Sequence, residues 1–98
     1  MTVQYHLRSL AQDDLESIWL YTVEHWGVEQ ADTYLEALIK RFEWLAENAT
    51  MGKPRDDVKK GYYCFPEGGH LIFYVLKDSQ VDIIGIPHQR MDIVEYLE

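Results

Sequence analysis

The opening stretch Val3-Gln4-Tyr5-His6-Leu7-Arg8 alternates apolar and polar positions, with Val3, Tyr5 and Leu7 set against Gln4, His6 and Arg8. A period of two predicts a strand over 3–8 with one buried face. The period then changes. Leu15, Ile18, Trp19, Thr22, Val23 and Trp26 fall three and four apart, which predicts a helix with one apolar stripe. Ser9, with Gln12 three residues on, fits a capping box at its start. Gly27 fits a cap at its end. A second helical pattern follows at once through Ala31, Tyr34, Leu35, Leu38, Ile39, Phe42 and Leu45, and fades near Asn48. Two helices of similar length joined at one glycine predict an antiparallel helical hairpin.

Residues 48–57 read as a long connection, with Gly52 and Pro54 as breakers. Beyond it the pattern is that of strands: 58–65, a turn over 66–69, then 70–77, which is apolar on both faces and so reads as a central strand. Asp78-Ser79-Gln80 makes a tight turn, and 81–86 is the last strand. Pro87 has no N–H to donate, so pairing ends there. Asp92 is placed to cap a short final helix through Glu95 and Tyr96. The element order is β-α-α-β-β-β plus a short C-terminal helix. This predicts an α+β fold in one domain, 1–98, with an antiparallel sheet that carries the N-terminal helical hairpin on one face.

Such a hairpin covers one face of the sheet only. Strand 70–77 turns Leu71, Phe73 and Val75 to one side and Ile72, Tyr74 and Leu76 to the other. The second face therefore needs a cover, either the tail and loop of this chain or an apolar helix or strand from a partner.

Charge narrows the function. The net charge is -8 and the sequence pI is about 4.8. A non-specific nucleic-acid binder is usually basic, because neutralised phosphates supply its affinity. The acidity is concentrated. Residues 11–47 carry Asp13, Asp14, Glu16, Glu24, Glu29, Asp32, Glu36, Glu43 and Glu47 against Lys40 and Arg41. Lys53, Arg55, Lys59 and Lys60 form a small basic region, diluted by Asp56 and Asp57. The single cysteine, Cys64, allows no internal disulfide, which suits a reducing compartment. The N-terminal sequence is not that of a signal peptide, and no apolar run approaches the roughly 20 residues that span a bilayer. His6, His25, His70, His88 and Cys64 match no zinc spacing, so no metal site is expected.

The early helix LESIWLYTVEHWG, the run KGYYCFPEGGHLIFYVLKD and the ending HQRMD after an isoleucine-rich strand together resemble the RelE/ParE superfamily of bacterial toxins, and specifically its ParE branch. The resemblance covers nearly the whole chain. It implies a cytoplasmic toxin of a type II toxin–antitoxin pair, with no cofactor and no membrane association, neutralised by a cognate antitoxin whose C-terminal segment wraps it. ParE-branch toxins are thought to poison DNA gyrase by binding, without sequence-specific DNA recognition by the toxin alone. RelE-branch toxins instead cut messenger RNA on the ribosome.

Cutting RNA through its own 2′-hydroxyl needs a base, an acid and cations around the crowded phosphate. Arg90 and Tyr96 resemble the C-terminal arginine and tyrosine of the nuclease branch, and Lys59 and Lys60 its lysines. Leu71, however, stands where nuclease members often place an arginine, and the net charge opposes docking on RNA. The nuclease is the alternative reading, and gyrase binding the leading one. Under the leading reading, Arg90, His88, Gln89 and Tyr96 are the expected target-binding residues, since arginine's planar fork is a common interface anchor. A structural account of the same corner has Asp92 as a cap, Arg90 in an ion pair and His88 bonded to the strand end. Surface pairs of that kind contribute only about 0–1 kcal/mol. For the antitoxin, the expected residues are Trp19, Trp26 and Tyr34 on the hairpin and Tyr63 and Phe65 near the sheet. Aromatics at helical spacing also build ordinary cores, which is the competing account of these five.

Overall fold

Gly27 is the only residue between the two long helices. Its φ of 93° is a conformation that glycine adopts far more easily than other residues. Its N–H donates to the Val23 carbonyl at 2.9 Å, and its own carbonyl accepts from Ala31 N–H at 3.1 Å. One residue thus closes α1 (Ser9–Trp26) and opens α2 (Val28–Glu47). The computed structural model describes residues 4–97, apart from the side chains of Val94 and Glu95. Of the expected first strand, Val3 lies outside the described residues; β1 is Tyr5–Leu7.

The expected capping box does not form. Arg8, not Ser9, holds the cap position, and no side chain caps the helix there. Ser9 is already helical, one residue too far along to reach back as a cap. The Gln12 half of the pair does act, donating from Nε2 to the Leu7 carbonyl at 3.0 Å.

The strands are β2 (Lys53–Pro54), β3 (Tyr63–Glu67), β4 (His70–Lys77) and β5 (Gln80–Gly85), and the helical turn α3 (Ile93–Leu97) follows. They form one sheet in the order β1-β5-β4-β3-β2. The sheet is mixed, not wholly antiparallel. β1 pairs parallel with β5, Tyr5 opposite Val81 and Leu7 opposite Ile83. A parallel neighbour needs a long crossover, which the rest of the chain supplies, but nothing in a three-residue alternation distinguishes the two pairings. β4 and β5 join through Asp78 and Ser79, both at positive φ (50° and 62°), as a two-residue hairpin turn requires.

The expected strand over 58–65 is a loop in its first half. Arg55 N–H donates to Tyr62 O at 2.7 Å, and Gly61 N–H donates to Asp56 Oδ1 at 2.9 Å. These bonds close a knot of turns over 55–62, and pairing with β4 starts only at Tyr63. The connection before it is also more ordered than expected, because Lys53 and Pro54 pair with Cys64 and Tyr63.

Both faces of β4 are buried as the alternation predicts. Ile72 and Tyr74 meet Leu38, Phe42 and Leu45 under the hairpin. Phe73 lies on the other face with Tyr62, Cys64 and Ile84, partly covered by Val58, Leu71, Val75, Ile93 and Leu97. The loop 55–62 and α3 therefore supply a cover for that face. The Tyr74 hydroxyl donates to Ala49 O at 2.8 Å and accepts from Gly52 N–H at 2.9 Å, which pins the connection after α2. A Cβ on Gly52 would collide with that hydroxyl.

Candidate functional site

The corner after β5 is stitched to the β3–β4 turn by backbone bonds. Leu71 N–H donates to Pro87 O at 2.9 Å, and Gln89 N–H donates to Gly69 O at 3.0 Å. His88 bridges to His70 in antiparallel sense, and the two rings meet edge-on with centroids 5.5 Å apart. Ile86 and Pro87 are buried, while His88, Gln89 and Arg90 are exposed. The chain thus passes from core to surface within one residue.

Two half-buried groups hold this corner. Asp14 on α1 accepts the Ile86 N–H at Oδ2 (2.7 Å), and the same oxygen accepts the Tyr96 hydroxyl. Burial, then the hydrogen bond to Asp14 and its charge, push the Tyr96 hydroxyl far above its ordinary pKa. The second group is His70. The Tyr34 hydroxyl donates to Glu67 O at 3.0 Å and also lies 2.7 Å from His70 Nδ1. A hydroxyl has one proton, so His70 Nδ1–H must be the donor in the second bond, leaving Nε2 as the acceptor of the neutral ring. His88 takes the opposite tautomer when neutral, because its Nδ1 accepts the Arg90 N–H at 3.2 Å. Burial, then the charge of His88, lower the His70 pKa, and Asp14 opposes this. Gly68, at φ 58°, passes so close to Tyr34 that a Cβ there would strike the phenol.

Between α1 and this corner lies a groove of about 430 Å³, with Ile18, Tyr21, Ile86, Pro87 and Met91 as apolar walls and Asp14, His70, His88 and Tyr96 as polar ones. Of the four expected target-binding residues, His88 and Tyr96 line this groove, Tyr96 half-buried with its hydroxyl turned onto Asp14, while Gln89 and Arg90 are exposed and follow His88 outside its lining. Asp14, Tyr21, His70 and Met91 were not singled out as site residues from the sequence. Asp14 had a signal: it lies on the helical stripe shared by buried Ala11 and Ile18, where a carboxylate needs a partner.

The five aromatics assigned to an antitoxin do not form one patch. Trp26 is 73% exposed at the hairpin tip. Trp19 is half-buried and donates from Nε1 to Asp32 at 2.9 Å. Tyr34 is bonded to the β3–β4 turn as described. Tyr63 stacks on Tyr74 at 5.4 Å, and Phe65 meets Trp44 at 5.2 Å, with the Arg41 guanidinium 4.9 Å from its ring. Arg41 also pairs with Glu67 at 2.8 Å.

The nuclease residues are scattered. Leu71 packs in the second-face cluster, and Tyr96 is occupied by Asp14. Lys59 lies instead by a groove lined by His6, Arg8 and Tyr62. His6 and Arg8 also border a separate groove with the nearly buried Asp82, which accepts from His6 Nδ1 at 2.9 Å and from Arg8 at 2.7 Å. Burial raises the Asp82 pKa, but these two partners outweigh it and hold the carboxyl below its usual value. Among the described residues no three His, Cys, Asp or Glu side chains converge as a metal site would require, and no helix is long and apolar enough to cross a membrane.

The chain matches known proteins along nearly its full length. Residues 5–93 fit the family described as the ParE toxin of the type II toxin–antitoxin system parDE. It is 37% identical over 94 residues to Toxin ParE1 of Mycobacterium tuberculosis, covering 95% of this chain and 96% of that one. Toxin ParE1 of Caulobacter vibrioides is 38% identical over 93 residues, with the same coverage of both chains. A solved structure described as the chromosomal ParDE TA system from P. aeruginosa superimposes with a TM-score of 0.76, covering 89% of this chain and 96% of that one; at 18% identity this is a likeness of fold. The family match and these identities together place the chain in the ParE toxin family of type II toxin–antitoxin systems.

Proposed function

We propose that this ParE-family chain inhibits DNA gyrase by binding it, and that a cognate antitoxin holds it inactive. The observation that carries the first part is the 88–90 corner. His88, Gln89 and Arg90 are exposed on a backbone fixed by Leu71, Gly69 and Asp14, a rigid presentation of an arginine anchor. Arg90 and His88 make the contact, Gln89 flanks them, and Tyr96 acts from behind by tying the tail to Asp14. The same bond speaks against RNA cleavage. A phenol engaged by a carboxylate and pushed well above its ordinary pKa is a poor proton donor or acceptor near neutrality. For the antitoxin, Trp26 offers the most open surface, with Trp19, Tyr34, Tyr63 and Phe65 as half-buried flanks.

The test is supercoiling of relaxed plasmid by purified gyrase with the toxin added, on a gel that also resolves linear DNA. Lost supercoiling with trapped linear product is the expected result, and Arg90→Ala should weaken it about tenfold or more. Unaffected gyrase at a large excess of toxin overturns the reading, and ribosome-dependent message cleavage then becomes the next assay. The antitoxin part is tested separately, by whether the product of the adjacent gene restores growth.

A further inference from the structure

We propose that the groove between α1 and the 86–91 corner is a binding site for a free small molecule, a planar aromatic cation of the amidine class, held with its ring between the apolar walls and its N–H groups on Asp14 and His70.

The cavity has the build of a ligand site. Such pockets enclose about 300–1,000 Å³ and are mostly apolar, with a few polar groups that fix the ligand's orientation. This one encloses about 430 Å³, and its polar groups are set among Ile18, Tyr21, Ile86, Pro87 and Met91. Ile18, Ile86 and Pro87 are buried, so this part of the lining belongs to the core and is preformed. Tyr21 and Met91 are its open side, 61% and 44% exposed. Tyr21 is nevertheless held in place, because the His25 ring stacks on it with centroids 4.0 Å apart. A tyrosine ring and a thioether are both favourable neighbours of a flat cationic ring.

Asp14 fixes the sign of the ligand's charge. It accepts the Ile86 N–H and the Tyr96 hydroxyl, both neutral donors, and both at Oδ2. These bonds satisfy the carboxylate without neutralising it, and Oδ1 keeps the capacity to accept. No lysine or arginine lines the groove among the described residues, and residues 9–39 hold seven acids and neither cation. A half-buried negative charge in an apolar setting attracts a cation more strongly than the same charge in open water. His70 supplies a second acceptor. Its Nδ1–H is committed to Tyr34, which is not a wall of the groove, so the ring edge carrying Nε2 is the one presented there. Burial and the charge of His88 lower the His70 pKa, which keeps that nitrogen unprotonated at neutral pH. An amidinium carries donors on two nitrogens in one plane, and so serves two acceptors at once.

Other occupants fit less well. An anion meets Asp14 with no cation to offset it. A metal ion needs about four converging ligands, and no three His, Cys, Asp or Glu side chains gather among the described residues. A hydrocarbon desolvates Oδ1 of Asp14 and Nε2 of His70 and leaves both without a donor.

The test titrates the full chain, isotope-labelled, with benzamidine at neutral pH and constant ionic strength. Benzoate, benzyl alcohol and N-acetylarginine amide are the comparisons. Benzamidine is expected to shift amide signals at 14–21, 70 and 86–91, and to saturate below about 10 mM. Benzyl alcohol, with the same ring and no charge, should bind about tenfold more weakly, and benzoate not measurably. Asp14→Asn keeps an acceptor for the Ile86 N–H but removes the charge, so benzamidine should weaken about tenfold while benzyl alcohol is unchanged. Tyr21→Ala alters an exposed wall without touching the core, and should weaken both ring ligands about threefold or more. The proposal is overturned if the benzamidine shifts do not saturate or fall outside the groove, if benzoate binds as well as benzamidine, or if either variant binds benzamidine as the parent does. Tighter binding of N-acetylarginine amide than of benzamidine would make the occupant a protein's arginine side chain, and overturns it too.

Discussion

The two faces of the sheet are covered by opposite means. On one, α1 and α2 lay long regular helices over β4 and β5, and Leu38, Phe42, Leu45, Ile72, Tyr74 and Ile83 are completely buried. On the other, a knot of turns and a five-residue helix cover a smaller cluster around Phe73, and the face also holds a nearly buried carboxylate, Asp82, with His6 and Arg8. Stability concentrates on the first face. The 88–90 corner, beyond the end of β5, is exposed and is fixed by a few polar bonds. Core and proposed recognition surface can therefore be tested separately by mutation.

The largest effect should come from the helical face. Phe42→Ala empties a fully buried site and should cost about 3–5 kcal/mol, read from denaturant unfolding. A loss under about 1 kcal/mol would mean the hairpin does not carry the fold. Tyr74→Phe should cost less, about 1–3 kcal/mol, by leaving the Gly52 N–H and the Ala49 carbonyl without their partner. Its cost should appear as faster amide exchange at residues 49–54 while the α2 core stays protected.

Asp14→Ala moves the comparison to the corner. It removes the acceptor of both the Ile86 N–H and the Tyr96 hydroxyl, at a cost of about 1–3 kcal/mol. The loss should be local. Exchange should quicken over 86–97, and the proposed gyrase inhibition should fall more than global stability does. An equal fall in both would erase the distinction between a stabilising face and a presenting corner.

The sequence already contained much of this division, for physical reasons that also explain what it hid. Helical spacing from Leu15 to Leu45 and the glycine at 27 specify the hairpin, because a period and a positive-φ residue are local properties. The double alternation of His70–Lys77 specifies a strand buried on both sides. Three things were not legible. The parallel partner of β1 is 76 residues away, and no local pattern encodes it. Val58 to Tyr62 has the composition of a strand, but Gly61 and the Asp56 side chain fold it into turns. The Asp14 bonds to Ile86 and Tyr96 span 72 and 82 residues, and a single carboxylate on an apolar stripe hints at a partner without naming it. His88, Gln89, Arg90 and Tyr96 were named for their chemistry and their place after the last strand, but what fixes them in space is long-range.

The smallest effect expected is in pH, and it also divides the faces. Half-buried His70 has its pKa lowered by burial and by the charge of His88. Between the unfolded value of about 6.5 and the lower folded value, the unfolded chain binds more protons than the folded one. His70 therefore costs nothing above that window and destabilises progressively as pH falls through it. Asp82, lowered by His6 and Arg8 despite its burial, keeps its stabilisation through this range and loses it only in stronger acid, as pH falls through its folded pKa. Unfolding free energies measured across the acid range should thus decline in two stages, and His70→Gln should remove the upper stage alone. Protonation should first loosen the corner, where His70 meets His88 and Tyr34, so exchange at 86–91 should rise before exchange at 5–7 and 81–83. If β1 opened first, the corner would not be the weaker of the two regions, and the separation of core from recognition surface would fail at the contact on which it depends.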